Sequence, residues 1–305
     1  MTPAWLPQLI SAIFRYWPNG EKLMAVLCEA YVDESQTGEG PSRTYTVSCL
    51  VAPSCVWEQF SADWTDALKC CGAEGKIVHM KTLVHGVKGS EWEGWDETRQ
   101  RPLFEKLMNV TRQYQPLGYC YSLPLKDFGE IMNPADEFEP FEMLLNNAML
   151  SIKNYLRPTK ENPVVFFMEQ NQMVEASALR QFLHRTEGRG WKDIFLTLVP
   201  LPKGPEPLQL ADVVAYEGSR FSSEQVFGSS GRKPRKLYEE LVSTGTMVFG
   251  AADHRCLVDG AKKVVEIQRA LLPEKKADIR RTWKAAHKRM QRERDPRFGV
   301  KRGGK

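Results

Sequence analysis

The cysteines of this sequence are few, and their arrangement excludes two kinds of small scaffold. The chain of 305 residues contains seven cysteines, an odd number, scattered and without a Cys-x-x-Cys pair. Disulfide frameworks and zinc sites are both recognised by regularly spaced cysteine pairs. Scattered thiols are typical of a reducing compartment, so we predict free cysteines and a cytoplasmic protein.

Long hydrophobic segments are absent as well. No apolar run approaches the roughly 20 residues that a helix needs to span a bilayer. The first residues, MTPAWLPQLISAIFRYW, lack the basic region and the small-residue cleavage site of a signal peptide. Their pattern predicts a short helical segment over residues 1–25, and we expect no association with a membrane.

Charge is unevenly distributed along the chain. The formal net charge is +4, but residues 273–305 contain thirteen Lys or Arg and four Asp or Glu. This segment therefore carries +9, which leaves −5 for the remaining chain. It lacks the apolar stripe of a membrane-surface helix, so nucleic-acid phosphate is the simplest acidic partner. A solvated charged helix or an unstructured tail is the alternative interpretation.

Hydrophobic periodicity predicts an α/β domain over residues 26–250, followed by a helical extension with a basic tail over 251–305. The hydrophobic content of 42% is sufficient for a globular core. Short apolar runs predict strands, the first two of them antiparallel neighbours, over residues 26–35, 44–52, 117–125, 164–169 and 194–201. Three-to-four-residue spacing of apolar positions predicts helices over residues 57–68, 101–114, 141–155, 175–186, 208–221 and 235–242.

Three carboxylates follow or interrupt these apolar segments. Asp33 lies where the first strand is predicted to end, Glu169 ends the strand 164–169, and Asp212 lies in a helix with a face of small residues. Each alone has an ordinary explanation as a turn residue, a cap or an exposed strand end. Together they predict carboxylates that converge on one point, where their mutual repulsion raises their pKa values. A divalent cation relieves this repulsion, and hard Mg²⁺ or Mn²⁺ suits such oxygen ligands.

Glu34 is a candidate fourth member of the acidic set. Adjacent strand residues point to opposite faces, so Glu34 joins Asp33 at one metal only if the chain turns there. Two metal ions about 4 Å apart can hold the attacking and leaving oxygens of a phosphodiester. The acidic set is therefore suited to phosphodiester hydrolysis.

A second group of candidate residues lies in the apolar segment 76–86. In a strand, His79 and Lys81 share a face, where His79 can transfer a proton to a leaving oxygen and Lys81 can pair with a phosphate. A half-buried histidine without a catalytic role is the alternative. On the late helix, Tyr216 shares the face of Asp212 better than Glu217 does, and we expect Glu217 at the surface.

Several of these segments resemble one family. The motifs are YVDES, the His-x-Lys of HMKTL, VVFFMEQ, LQLADVVAYE and the following Arg-containing GRKPRKLYEEL, which together look like domain-of-unknown-function family 3800. Gln36 stands where that family has a glycine. The resemblance implies a ribonuclease H-like fold and an acidic centre in which Asp33, Glu169 and Asp212 bind metal.

These observations lead to one main hypothesis. It is a metal-dependent nuclease or phosphodiester hydrolase with a ribonuclease H-like mixed sheet flanked by helices, acting on DNA or RNA with Mg²⁺ or Mn²⁺. The catalytic residues are predicted to be Asp33, Glu34, His79, Lys81, Glu169 and Asp212. The alternatives are a non-catalytic nucleic-acid- or protein-binding factor that retains the fold, and an enzyme that acts on a small phosphorylated molecule such as a nucleotide.

Overall fold

The computed structural model describes residues 28–40, 43–131, 139–160, 162–170, 186–228, 233–252 and 257. The chain divides into two compact units, Met1–His254 and Arg255–Lys305, and the elements below belong to the first. The predicted segment 1–25, nearly all of the predicted helix 175–186 and nearly all of the extension 251–305 lie outside the described residues.

The described part of the first unit is an α/β fold. Its elements, in chain order, are β1 (Cys28–Thr37), β2 (Thr44–Pro53), α1 (Ser54–Cys70), α2 (Met80–His85), α3 (Glu97–Tyr114), β3 (Leu117–Pro124), α4 (Leu125–Ile131), α5 (Pro140–Leu156), β4 (Val164–Glu169), β5 (Phe195–Leu201), α6 (Glu206–Phe221), a π-helical turn (Ser222–Val226), α7 (Lys236–Ser243) and β6 (Met247–Ala251).

The strands form one mixed six-stranded sheet in the order β5-β4-β1-β2-β3-β6. The first two strands are antiparallel neighbours, which confirms the prediction, and β2 and β3 are antiparallel as well. The strands β4 and β5 extend the sheet in parallel beyond β1, and β6 pairs in parallel with β3. The predicted strands all form, whereas β6 and α4 were not predicted because both are short and contain glycine.

Helices cover both faces of the sheet. On one face, α1 and α6 pack with the sheet residues Tyr31 and Phe167 around the buried Trp57 and Trp64. The indole N–H of Trp57 donates to the backbone oxygen of Glu29 at 3.0 Å, as buried indoles require an acceptor. On the other face α5 contacts β2 and β3. The six cysteines among the described residues are free thiols, as predicted.

The helix α6 packs directly against the sheet. Its predicted face of small residues contacts the central strands, and Ser48 Oγ of β2 donates to the Ala211 backbone oxygen at 2.7 Å. A Cβ atom at Gly218 would clash with Cys120 Sγ of β3. Because only small residues allow this approach, α6 holds Asp212 near the sheet.

Candidate active site

Parallel pairing of β1 and β4 places two of the predicted acids side by side. The register pairs Val32 with Met168, so Asp33 and Glu169 are the next positions at the same end of the sheet. By strand alternation they share the face of Tyr31 and Phe167, whose rings lie 5.2 Å apart. Both carboxylates therefore emerge on the face that α6 covers.

Asp33 is a buried carboxylate surrounded by other carboxylates. Its residue is 9% exposed. Burial raises the pKa of Asp33 well above its ordinary value, and the charges of Asp212, Glu34 and Glu169 raise it further. The backbone N–H of Glu34 donates to Asp33 Oδ1 at 2.9 Å and opposes this shift only in part. The predicted acids thus lie close enough to act on one another at Asp33.

Asp212 joins α6 to the His79 segment. Its Oδ2 accepts the backbone N–H of Met80 at 2.6 Å and lies 3.3 Å from His79 Nδ1. The carboxylate therefore caps the N-terminus of α2, where a negative charge is favourable, and it also orients the imidazole. The side chain of His79 is 33% exposed and that of Asp212 is 12% exposed, so the pair lies between core and solvent.

Gln209 is a positioning residue that the sequence did not reveal. Its Oε1 accepts the backbone N–H of Val78 at 2.9 Å and Trp64 Nε1 at 3.1 Å, and its Nε2 donates to the Gly204 backbone oxygen at 2.6 Å. Gln209 and Asp212 are nearly one turn apart on α6, and they accept N–H groups that are two residues apart. These two hydrogen bonds hold residues 78–80 beside α6. His79 therefore lies next to Asp212.

The strand in which His79 and Lys81 would share a face does not form. His79 is an extended residue directly before α2, and Lys81 lies in the first turn of that helix. The His79 backbone oxygen accepts the N–H groups of Thr82 and Leu83, so the chain coils immediately after His79. The two side chains do not share a strand face. In the described part of the chain, no hydrogen bond or ion pair joins Lys81 to the acidic residues.

The expected end of the first strand at its two acids is also wrong. β1 continues to Thr37, because β2 pairs with it along its whole length after the pairing with β4 has ended. The chain therefore does not turn at Glu34, and alternation places Glu34 on the face opposite Asp33. The predicted assisting role of Glu34 is not supported by this backbone.

Two acidic residues of this region, Glu169 and Glu217, form ion pairs. Lys203 Nζ lies 3.5 Å from Glu169 Oε1, with both side chains partly exposed. Glu217, expected at the surface, is 1% exposed, and its Oε1 accepts Arg235 Nη1 at 2.7 Å. That expectation is wrong because Arg235, 18 residues further along the chain, supplies the partner that permits burial.

A divalent cation fits the chemistry of this site. Its candidate ligands are carboxylate oxygens, and the repulsion concentrated on the buried Asp33 is the kind that a cation relieves. Among the residues that the structure describes, no three His, Cys, Asp or Glu side chains already form a ligand cluster. The residues that would bind the cation are Asp33, Asp212 and Glu169.

Comparison with known proteins adds no assignment. No protein-family model, curated protein or solved structure matches this chain. Within the described ranges, every helix is too short or too polar to cross a membrane. Membership of family 3800 therefore stays a prediction from the motifs.

Proposed function

We propose that this protein is a metal-dependent phosphodiester hydrolase that cleaves nucleic acid. The observation that carries the proposal is the convergence of Asp212 and Glu169 on the buried Asp33, whose pKa burial and these neighbouring charges raise. A purely structural carboxylate at this depth would be expected to have a cationic partner. Repelling buried carboxylates are characteristic of sites that bind divalent metals or transfer protons.

The order of the strands supports a ribonuclease H-like fold. The antiparallel strands β1, β2 and β3 form a meander, and the parallel strands β4 and β5 lie beyond β1. This arrangement is the one expected of a ribonuclease H-like core, with β6 as an addition. It agrees with the motif resemblance, in which Asp33, Glu169 and Asp212 form the acidic centre.

Metal binding, proton transfer and phosphate binding are each assigned to different side chains of the site. Asp33, Asp212 and Glu169 would hold Mg²⁺ or Mn²⁺, which when bound supplies positive charge for the phosphate oxygens and lowers the pKa of a water molecule. Asp212 orients His79 through Nδ1, and when the ring is in its protonated imidazolium form the other nitrogen can give a proton to the leaving oxygen. Lys203 and Lys81 provide cationic groups for the phosphates, Lys203 from beside Glu169.

The nucleic-acid substrate is proposed from charge. Residues 273–305 carry a net charge of +9, and phosphate neutralisation by Lys and Arg is the principal source of affinity for nucleic acid. The extension would supply this affinity for the substrate.

Substitution of the acids tests the proposal. Wild type, Asp33→Asn and Asp212→Asn are compared for cleavage of single- and double-stranded DNA and RNA with Mg²⁺, Mn²⁺ or EDTA. We expect metal-dependent cleavage that falls at least about 100-fold in both variants, since several kcal/mol of charge stabilisation are lost. The exposed Asp66 of α1 gives the matched control Asp66→Asn, which should cleave normally. Unchanged cleavage and Mn²⁺ binding in both acid variants would refute the proposal.

One observation favours the alternative of a non-catalytic nucleic-acid- or protein-binding factor. The hydrogen bonds of Asp212 to Met80 and His79 give this carboxylate a structural role of its own. A binding factor would lose its function on deletion of residues 273–305 and keep it in Asp33→Asn. An enzyme acting on a small nucleotide would show the reverse pattern.

A further inference from the structure

We infer that α6 carries a phosphate-binding subsite beside the acidic site, formed by Tyr216, Arg220 and the α2 residue His85, which holds the backbone of a nucleic-acid strand. The inference rests on the proposed function, because it assigns a second contact to the same substrate.

The three side chains form one polar network. Tyr216 Oη lies 3.5 Å from His85 Nε2, and Arg220 is close enough to Tyr216 for the two side chains to interact. The Tyr216 residue is 7% exposed, whereas the Arg220 side chain is 30% exposed and His85 is exposed. The tyrosine hydroxyl therefore lies at the edge of the core, next to two side chains that solvent and a large ligand can reach.

This network continues the acidic site along α6. Asp212, Tyr216 and Arg220 follow one another at four-residue intervals, so they share one helix face with steps of about 6 Å. The α2 helix connects the same two points, since His79 before it contacts Asp212 and His85 at its end contacts Tyr216. Phosphates of a B-DNA strand recur about every 3.4 Å along the axis, so the subsite can take a phosphate a few nucleotides from the reacting one.

The chemistry of the network suits an anion. A guanidinium has five donors and no acceptor, and the tyrosine hydroxyl and imidazole add further donors. Glu224 Oε1 accepts from Arg220 Nε at 2.9 Å, which holds the guanidinium in place. Glu224 thus engages one donor and Tyr216 can engage a second, which leaves the others for a ligand. Lys81, exposed and four residues before His85 on α2, adds a cation on the same helix face. A phosphate oxygen matches this surplus of donors, and Arg–phosphate hydrogen bonds are strengthened by charge.

Binding measured without catalysis tests the subsite. The probes are short single-stranded DNA and RNA oligonucleotides with a fluorescent label, followed by anisotropy in EDTA at several salt concentrations. Arg220→Gln is expected to weaken binding about tenfold at low salt and to reduce the slope of log K against log salt by about 0.7. Tyr216→Phe keeps the ring and loses only the hydroxyl, so we expect a loss of about threefold.

Arg112→Gln is the matched control. Arg112 of α3 is paired with Glu240 at 3.2 Å and its side chain is 39% exposed, which is close to the 30% of Arg220. The control should bind like wild type. If Arg220→Gln binds like Arg112→Gln, or if wild type binds neither oligonucleotide, the subsite is refuted even where Asp33-dependent cleavage is present. If Arg220→Gln alone weakens binding and no protein cleaves with any metal, the subsite stands and the hydrolase proposal fails.

Discussion

Two buried carboxylates on the same side of the sheet, Asp33 and Glu217, have opposite surroundings. Glu217 is 1% exposed and Asp33 is 9% exposed, and burial is the largest cause of a raised pKa in both. At Glu217 the cations Arg235 and Arg220 oppose the shift. At Asp33 three further carboxylates increase it. The first site is partly compensated by the chain's own cations, whereas the second is suited to a cation that comes from outside.

This difference sets an acid with cationic neighbours apart from an acid whose neighbours are other acids. A buried charge costs free energy unless it is paired, and Glu217 is paired with Arg235. The ion pair thereby links Glu217 of α6 to the start of α7. At Asp33 the neighbouring carboxylates instead add to the cost of ionising a buried acid. We therefore expect the cluster at Asp33, rather than Glu217, to bind the cation of the proposed function.

The largest effect should come from the imidazole at the acidic site. In His79→Ala we expect cleavage to fall about 1000-fold, because the proton donor to the leaving oxygen is lost. Mn²⁺ affinity should stay within about twofold, since His79 is not among the proposed ligands; calorimetric titration measures it. A loss of cleavage that follows a loss of Mn²⁺ affinity would mean that His79 serves the metal site instead.

The compensated acid provides a pH test. Burial raises the pKa of Glu217 to about 7 in spite of Arg235 and Arg220, against about 4.3 in an unfolded chain. Between these values the folded protein keeps a proton that the unfolded chain has lost, so the free energy of unfolding falls as pH rises through this window. Glutamine cannot titrate. From about pH 4 to about pH 8, wild type should therefore lose about 3 kcal/mol relative to Glu217→Gln.

Urea unfolding of wild type and Glu217→Gln across this pH range measures the difference. Cleavage by Glu217→Gln should remain near that of wild type, because Glu217 lies in the compensated region. A difference in unfolding free energy that is independent of pH would contradict the assignment of Glu217 as a buried, titrating acid.

The smallest effect concerns the residue that holds the His79 segment in place. Gln209→Leu removes hydrogen bonds to Val78, Trp64 and Gly204, and the buried groups left unpaired should lower the free energy of unfolding by about 2 kcal/mol. Urea unfolding checks this value. Gln113→Leu changes an exposed glutamine bonded to Asp63 and should stay within about 0.5 kcal/mol of wild type. Equal values for both variants would show that Gln209 does not fix the segment.

The sequence predicts the strands well because their apolar runs are local signals. The strand 164–169 has the predicted bounds, and its carboxylate lies beside Asp33 once β1 and β4 pair. The polar residues after Asp33 look like a turn, and only the partner strand β2 keeps them extended. The α2 helix was missed because its cap, Asp212, lies 132 residues further along the chain than Met80.

The buried position of Glu217 escaped prediction for a related reason. An acid at that place in a helix is ordinarily exposed, and the guanidinium that permits burial comes from 18 residues further on. For both α2 and Glu217, the hydrogen-bond partner that decides the structure lies far away along the chain. The local sequence pattern therefore does not reveal it.

The most direct test of the central claim is the thermal shift caused by Mn²⁺. A ligand that binds only the folded protein stabilises it, by about 2.7 kcal/mol at a concentration 100 times its dissociation constant. We predict that Mn²⁺ raises the Tm of wild type and of Glu217→Gln, and that Asp33→Asn has an equal or higher Tm without metal but gains little from Mn²⁺. An equal Mn²⁺-induced shift in wild type and Asp33→Asn would contradict the account.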